Sequence, residues 1–148
     1  MYSSINGTAG QIENFKKEGY WKEYQNLGIS EGNYKNNERV GFWKVIESFM
    51  VYSKGEYLNG NKHGKWERYW KSTNTLLNKE NYRNNMLEGK RLTYFKNGKI
   101  NRIVNYKNGS KEGDYEIFFS TGVTCERGTY KNNIKKIEFS LSKSITCF

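Results

Sequence analysis

The 148-residue sequence contains no proline, one histidine and two cysteines, and each scarcity excludes a class of protein. So few cysteines and histidines cannot build a disulfide framework or a zinc finger. Cys125 and Cys147 belong to no Cys-x-x-Cys pattern, so we expect free, partly buried thiols. His63 is expected in a solvated turn rather than at a metal ion, and neither a metal nor a cofactor is predicted.

Long apolar runs and catalytic motifs are also missing. No stretch approaches the roughly 18 apolar residues of a membrane-spanning helix, and the first residues, MYSSINGTAGQIENF, lack the apolar core of a secretory signal. There is no P-loop, nucleophile elbow or HExxH motif, and the carboxylates are scattered along the chain without a paired partner. These observations predict a cytoplasmic protein that is not an enzyme, and they disfavour a membrane as its partner.

What the sequence does have is an internal repeat with intervals of 23, 25 and 24 residues. A tyrosine opens each unit, an asparagine follows two residues later, and a glycine usually follows seven residues later. The tyrosines are Tyr34, Tyr57, Tyr82, Tyr106 and Tyr130, and the glycines are Gly41, Gly64, Gly89 and Gly113. The segment 10–19 aligns with 55–64, with Ile12 in the tyrosine position. Such a period indicates an array of stacked units.

Each unit is predicted to be a β-hairpin. The runs KWERYW, KRLTYF and DYEIFF are rich in aromatic and β-branched residues, which favour strands. The Asn-Asn and Asn-Gly pairs after the tyrosines tolerate the positive φ of a tight turn. Gly64 and Gly89 are expected to need positive φ or the space that a Cβ would fill.

A second turn is predicted at the other end of each hairpin. Its glycine-containing examples are Leu27-Gly28, Asn97-Gly98 and Thr121-Gly122. The stretches 45–57 and 70–82 lack this glycine, so we expect irregular turns there.

Stacked hairpins in one sheet would align equivalent side chains in ladders about 9.6 Å apart, which is two strand spacings. One ladder would hold Trp21, Trp43 and Trp66, with Arg91 next and its guanidinium stacked on the rings. A second would hold Tyr24, Ile46, Tyr69, Tyr94 and Phe118. Because only 35% of the residues are hydrophobic, these large side chains are expected to form the core.

The repeat unit resembles the MORN repeat and, more closely, a bacterial variant found in antitoxin-like proteins. GEYLNGNKHGKW at 55–66 is similar to that repeat, and residues 89–113 are similar to the bacterial variant. The resemblance covers about residues 10 to 137. It implies an elongated, open and twisted single-layer antiparallel sheet of about five hairpins. It also implies roles in protein contact, with proposed phospholipid contact in eukaryotic members, and no catalysis without an attached domain.

We therefore predict a single all-β repeat domain over residues 1–148. A degenerate N-terminal cap covers 1–18, and repeats cover 19–40, 41–63, 64–88, 89–112 and 113–136. A C-terminal cap covers 137–148, because Ile137 replaces the glycine of the last unit.

Charge is the remaining functional clue, since 25 Lys and Arg against 15 Asp and Glu give a net charge of +10. Stacking places equivalent turns side by side, so their cations should form one basic edge that suits an anionic partner. The candidate partner-binding residues of this edge are Lys35, Arg39, Lys62, Arg83, Lys107, Lys111, Lys131, Lys135 and Lys136. The lysine-rich composition typical of an AT-rich genome would produce the same excess.

The sequence leaves three functions open. The leading hypothesis is a binding protein that neutralises a cytosolic partner protein or nucleoprotein, as an antitoxin or as an anti-CRISPR-type inhibitor of host defence. The alternative is direct RNA or DNA binding through the basic edge with aromatic stacking. Anionic-lipid binding is third, because no amphipathic helix or dense polybasic cluster supports it.

Overall fold

The computed structural model describes residues 2–5, 8–25 and 28–141, which form fourteen strands of one sheet. The strands are β1 (Tyr2–Ile5), β2 (Thr8–Glu13), β3 (Lys16–Gln25), β4 (Gly28–Lys35), β5 (Glu38–Ile46), β6 (Val51–Leu58), β7 (Asn61–Trp70), β8 (Leu76–Arg83), β9 (Met86–Leu87), β10 (Gly89–Tyr94), β11 (Ile100–Lys107), β12 (Ser110–Phe118), β13 (Thr124–Lys131) and β14 (Ile134–Ser140). A search of these residues for a helix long and apolar enough to span a bilayer finds none.

The sheet runs in chain order from β1 to β14, except that β9 pairs only with β8. Neighbouring strands are antiparallel throughout the described residues, and β1 does not pair with β14, so the sheet is open. Twelve steps of about 4.8 Å extend such a sheet over roughly 58 Å. This arrangement confirms the predicted all-β, single-layer hairpin array.

Two-residue turns join the strands along one edge, which we call the turn edge. Both turn residues have positive φ, for example 52° and 69° at Asn36 and Asn37, and 49° and 74° at Asn59 and Gly60. Equivalent turns occur at 14–15, 84–85, 108–109 and 132–133. Two positive φ angles define the type I′ turn, whose twist matches paired strands. The degenerate first unit therefore keeps the turn even with Phe15 in it.

The three turns that end in asparagine also satisfy a backbone donor of the preceding unit. The Oδ1 atoms of Asn37, Asn85 and Asn133 accept hydrogen bonds of 2.7, 2.7 and 2.8 Å from backbone N–H groups one unit earlier. The backbone N–H of each of these asparagines donates to the same earlier residue. Asparagine at this position thus supports both the turn and the stacking of successive units.

As far as β8, the core is a continuous chain of rings on one face of the sheet, which we call the tryptophan face; the opposite face is the outer face. The rings alternate along the sheet in the order Trp21, Tyr34, Trp43, Tyr57, Trp66 and Tyr82. Neighbouring centroids lie 5.2 to 6.4 Å apart, with the planes nearly perpendicular. This edge-to-face contact is the arrangement that aromatic quadrupoles prefer. The predicted tryptophan ladder is therefore confirmed.

Each of the three ladder tryptophans packs flat on a glycine of the strand before it. A Cβ on Gly32 would lie 2.4 Å from the ring of Trp43, and one on Gly55 would lie 2.4 Å from that of Trp66. The indole N–H of Trp43 and Trp66 donates to the carbonyl of the residue after the glycine, at 3.1 and 3.0 Å. Glycine is required at these positions because no side chain fits beneath the indole.

Gly64 and Gly89 serve a different purpose. Their φ angles are +64° and +76°, and no atom lies within 4 Å of a Cβ at either position. The predicted positive φ is confirmed, and backbone conformation rather than crowding is what favours glycine there.

The tryptophan ladder stops at Arg91. Its guanidinium forms an ion pair with Glu80 (Nε–Oε1 2.9 Å) in place of the predicted stacking. Glu80 occupies the position at which the three earlier units have the glycine that lies beneath a tryptophan. Strand β8 pairs with β10 through Asn78–Thr93 and Lys79–Leu92, and with the short β9 through Tyr82–Leu87 and Arg83–Met86, so the pairing along β8 is interrupted beside Arg91.

The second predicted ladder lies on the outer face. Its assignment to the core is wrong for Tyr24, which is exposed. Tyr24 points away from the tryptophan face and is 47% exposed. Tyr69 stacks instead on Tyr52, with ring centroids 5.1 Å apart. The remaining members are half-buried, and they are Ile46, Tyr69, Tyr94 and Phe118.

Predictions about the rare residues are also corrected. His63 lies in β7 rather than in a solvated turn; it is half-buried, and its Nδ1 has no hydrogen-bond partner among the described residues. Cys125 is buried and disulfide-bonded, so the expected free thiol is wrong. Cys147 lies outside the described residues.

The second turns agree with the sequence where they are described. Gly98 and Gly122 have φ angles of 82° and 98°. Of the two stretches that lack this glycine, 70–82 turns through Asn74, at φ 54°, and 45–57 forms a bend at residues 48–50. Leu27 lies outside the described residues.

Candidate partner-binding groove

The nine cations of the predicted basic edge divide between the two faces of the sheet. In a two-residue hairpin the residue five positions after the tyrosine pairs with it, so it shares the tryptophan face. Arg39 accordingly lies over the rings of Trp43 and Tyr57, at 4.3 and 5.4 Å. The other cations packed on rings in this way are Lys62, Lys111 and Lys135. These four are half-buried or ion-paired parts of the fold rather than a free edge.

The other five candidates are exposed along the turn edge. They are Lys35, Arg83, Lys107, Lys131 and Lys136. Arg83 approaches Glu88 at 3.9 Å, and the other four form no ion pair within the part of the chain that is described. The exposed basic edge therefore keeps about half of its predicted members.

A carboxylate is buried beside the ring-packed cations near the N-terminal end of the sheet. Glu23 accepts hydrogen bonds from Lys17 Nζ at 2.5 Å and Arg39 Nη2 at 2.8 Å, and Tyr34 Oη donates to it at 3.0 Å. Burial alone would raise the pKa of Glu23, but the hydrogen bonds from these three residues outweigh it and hold the pKa below its usual value. The charged form of Glu23 therefore stabilises the fold.

Glu23→Gln is expected to lower the free energy of unfolding by about 2 kcal/mol near neutral pH, the scale of hydrogen bonds to a charged group. Because the folded pKa is lowered, the difference from the wild type is full above the usual pKa of 4.5 and closes as pH falls through the folded pKa. Urea unfolding of both proteins at about pH 7 and about pH 3 measures it. An equal gap at both pH values would show that shape, not charge, is responsible.

The outer face carries a row of exposed side chains that changes chemistry along the sheet. The residue after the unit glycine immediately precedes the ladder position, so strand alternation turns it outward. In chain order the row is Tyr20, Phe42, Lys65, Lys90, Asp114 and Glu138, and all six are exposed. Equivalent positions thus hold two aromatic, two basic and two acidic residues. Folding does not require these identities, since the side chains do not pack in the core.

Three adjoining depressions follow this row, and we call them together the outer groove. The first, of about 400 Å³, is lined by Phe42 and Lys65; the second, of about 350 Å³, by Lys65 and Lys90. The third, of about 300 Å³, is lined by Lys90, Asp114 and Glu138. Because neighbouring depressions share a lysine, they form one continuous path across the hairpins.

The middle of the outer groove combines unpaired cations with an apolar side chain. Lys65 and Lys90 form no ion pair with any described residue, and the half-buried Leu92 lines the same depression. Lys79 completes this part and lies 3.7 Å from Glu67. This section can receive an acidic side chain together with an apolar one.

Sequence reasoning missed the outer groove because it searched for one charge type at the turns. The signal was present: the position after each unit glycine can be aligned from the repeat, and strand alternation assigns it to the outer face. The depressions could not be foreseen, because they depend on how neighbouring side chains pack.

Among the described residues, no group of three or more His, Cys, Asp or Glu is placed to hold a metal ion. No protein-family model matches the chain, and no curated protein matches it significantly. Membership of the MORN-repeat family therefore stays a prediction, whereas the hairpin-array architecture is shown directly by the structure.

Proposed function

We propose that this protein is a non-enzymatic binding module that holds a partner protein or nucleoprotein along the outer groove and thereby neutralises it. The observation that carries the proposal is the row of six exposed, chemically graded residues beside three connected depressions. An array of hairpins supplies a rigid surface, and the change from aromatic to basic to acidic residues along the row would fix the orientation of a bound partner. The antitoxin-like role suggested by the resemblance and the alternative role as an inhibitor of host defence both need such a surface.

The ends of the row indicate what the partner presents. Tyr20 and Phe42 are each 57% exposed, and aromatic side chains of this kind frequently dominate protein interfaces. Lys65 and Lys90 would face acidic groups, whereas Asp114 and Glu138 would face basic ones. A partner with apolar, acidic and basic groups in that order along one line would be complementary.

Reversing both groove lysines, Lys65→Glu with Lys90→Glu, is expected to weaken partner binding at least about tenfold, because two unpaired cations in the groove become repulsive. Stability should change little, since exposed residues without ion pairs contribute little to folding. The partner is first identified by affinity capture from host-cell extract and mass spectrometry. Calorimetry then gives Kd for the wild type and the variant, and melting temperatures confirm folding.

The matched control reverses two exposed cations of the turn edge, Lys35→Glu with Lys107→Glu, and should leave Kd within about twofold. Lys135 is unsuitable for such a control because it is ion-paired with Glu126 at 2.5 Å. Equal losses in the two double variants would show a general charge effect and contradict the groove as the binding site.

Direct nucleic-acid binding is tested with the same proteins. Random single-stranded RNA and duplex DNA should bind no tighter than ~10⁻⁶ M near physiological salt, with a steep loss as salt rises. Sub-nanomolar or sequence-selective binding that depends on the exposed turn-edge cations would make nucleic-acid recognition the primary function.

The proposed location is the cytoplasm, as the sequence predicts. The disulfide at Cys125 bears on this, because disulfides persist mainly in oxidising compartments. If the protein is cytoplasmic, thiol alkylation under denaturing conditions, after host cells are rapidly quenched with acid, should label Cys125, which is buried in the folded protein. A fully unlabelled cysteine would contradict that location.

A further inference from the structure

A cavity of about 200 Å³ lies on the tryptophan face where the ring ladder stops. Besides the Tyr82 hydroxyl, which donates to Glu80, its polar lining on this face consists of Glu47, Ser53, Lys62, Arg68, Glu80 and Arg91. In the preceding units an indole and a cation fill the equivalent space, whereas Arg91 and Leu87 occupy those positions here. The cavity therefore results from a local departure from the repeat.

One of the three cations that line the cavity has no carboxylate as an ion-pair partner among the described residues. Glu47 forms an ion pair with Arg68, and Glu80 forms one with Arg91, so both carboxylates are neutralised. Lys62 forms no ion pair within the described residues, and its Nζ lies 4.2 Å from the ring centroid of Trp66. Burial lowers the pKa of Lys62, so an anion beside it would stabilise its charged form.

Two buried polar atoms in the same lining also have no partner. Ser53 is only 4% exposed, and its Oγ forms no hydrogen bond within the described structure. The Nε of Arg68 is buried and likewise unpartnered there. Ser53 and Arg68 face each other in the register of β6 and β7, so the two groups are adjacent. A buried donor without an acceptor is unfavourable, and both groups are suited to a ligand rich in acceptors.

We propose that this cavity binds a small oxyanion, a phosphate group, between the Lys62 ammonium, the Arg68 Nε–H and the Ser53 hydroxyl. All three groups can donate, and a phosphate offers three or more acceptor oxygens with negative charge, which guanidinium and ammonium groups bind well. A tetrahedral phosphate can direct separate oxygens at the three donors, whereas a planar carboxylate offers all its lone pairs in one plane and carries less charge. The site lies on the opposite face from the outer groove, so it does not depend on the proposed partner.

The test is a titration of the full-length protein with sodium phosphate at constant ionic strength, followed by the NMR signal of the Arg68 Nε–H and by melting temperature. We expect a saturable shift of that signal and a rise in melting temperature that sodium acetate does not reproduce. Ser53→Ala and Lys62→Gln should each weaken phosphate binding about tenfold, the effect of one hydrogen bond to a charged group. Circular dichroism confirms that both variants are folded.

Two controls distinguish a site from general charge attraction. Ser30→Ala removes the hydroxyl at the equivalent buried position of the preceding unit, outside the cavity lining, and should leave phosphate binding unchanged. Lys65→Gln removes a cation on the outer face and should also leave it unchanged. A non-saturating shift in the wild type, or equal losses in Ser30→Ala and Ser53→Ala, would overturn the proposal.

A parallel titration with glycerol phosphate identifies the source of the phosphate group. Tighter binding of the ester than of inorganic phosphate would indicate a phosphorylated small molecule, and weaker binding would indicate the free ion. Either order supports the site when it depends on Ser53. Binding of neither compound overturns it.

Discussion

Trp43→Ala is expected to lower the free energy of unfolding by about 3–5 kcal/mol, the range for truncating a large buried side chain. Trp43 is 0% exposed, contacts Tyr34 and Tyr57 edge to face, and donates its indole N–H to Asn33. Among the described residues, the sheet has no second layer that could collapse into the vacated space. A loss of this size is a large fraction of the stability of an ordinary domain.

Chemical denaturation followed by circular dichroism measures this effect. The control is Tyr24→Ala, which removes an aromatic ring from the outer face, where it is 47% exposed. That variant should lose no more than about 1 kcal/mol. Similar losses for the two variants would show that the tryptophan face is not the core.

Gly55→Val is expected to lower the free energy of unfolding by about 3 kcal/mol, at the upper end of ordinary overpacking. The added Cβ would lie 2.4 Å from Cδ2 of Trp66, and the buried indole has no space into which to withdraw. Urea unfolding of Gly55→Val and the wild type measures this loss. Gly64→Ala is a useful comparison, because a Cβ there meets nothing within 4 Å and the cost comes from φ alone.

A second substitution should partly rescue Gly55→Val. At the equivalent positions of a later unit the chain has Val104 opposite Tyr115, and both side chains are buried. Trp66→Tyr combined with Gly55→Val reproduces that pair within the earlier unit. We expect the free energy of unfolding of the double variant to exceed, by about 1–3 kcal/mol, the value obtained by adding the losses of the two single variants. Strict additivity would show that the two positions do not form a packing pair.

Three units thus use three versions of the same cross-strand pair. They are glycine with tryptophan (Gly55 and Trp66), glutamate with arginine (Glu80 and Arg91), and valine with tyrosine (Val104 and Tyr115). A larger residue on one strand accompanies a smaller or charged one on the other, since the volume between strands is limited. This pairing is visible in the sequence only after the register is known.

The candidate sites were predicted less well than the fold. The repeat identified the turns, but it treated Lys35 and Arg39 as members of one edge. Lys35 is exposed, whereas Arg39 is half-buried over Trp43. A two-residue turn lies between them, so strand alternation restarts and the two side chains emerge on opposite faces. Counting charge by segment could not detect that difference.

By itself, the sequence determined the hairpins, their order and the ladder of rings. These features depend on local chemistry: asparagine and glycine accept positive φ, aromatic residues favour strands, and stacking equivalent units aligns their side chains. Local rules of this kind repeat with the sequence and can be read from it.

Only the tertiary structure decided the outer groove, the cavity beside Ser53 and the disulfide state of Cys125. Each depends on side chains from different units meeting at particular distances. The ion pair of Glu80 with Arg91 and the unpartnered Ser53 Oγ show this, because both follow from one irregular unit packing against regular neighbours. Packing of close-fitting side chains is specific to each contact, so periodicity determines where such contacts occur but not what space they leave.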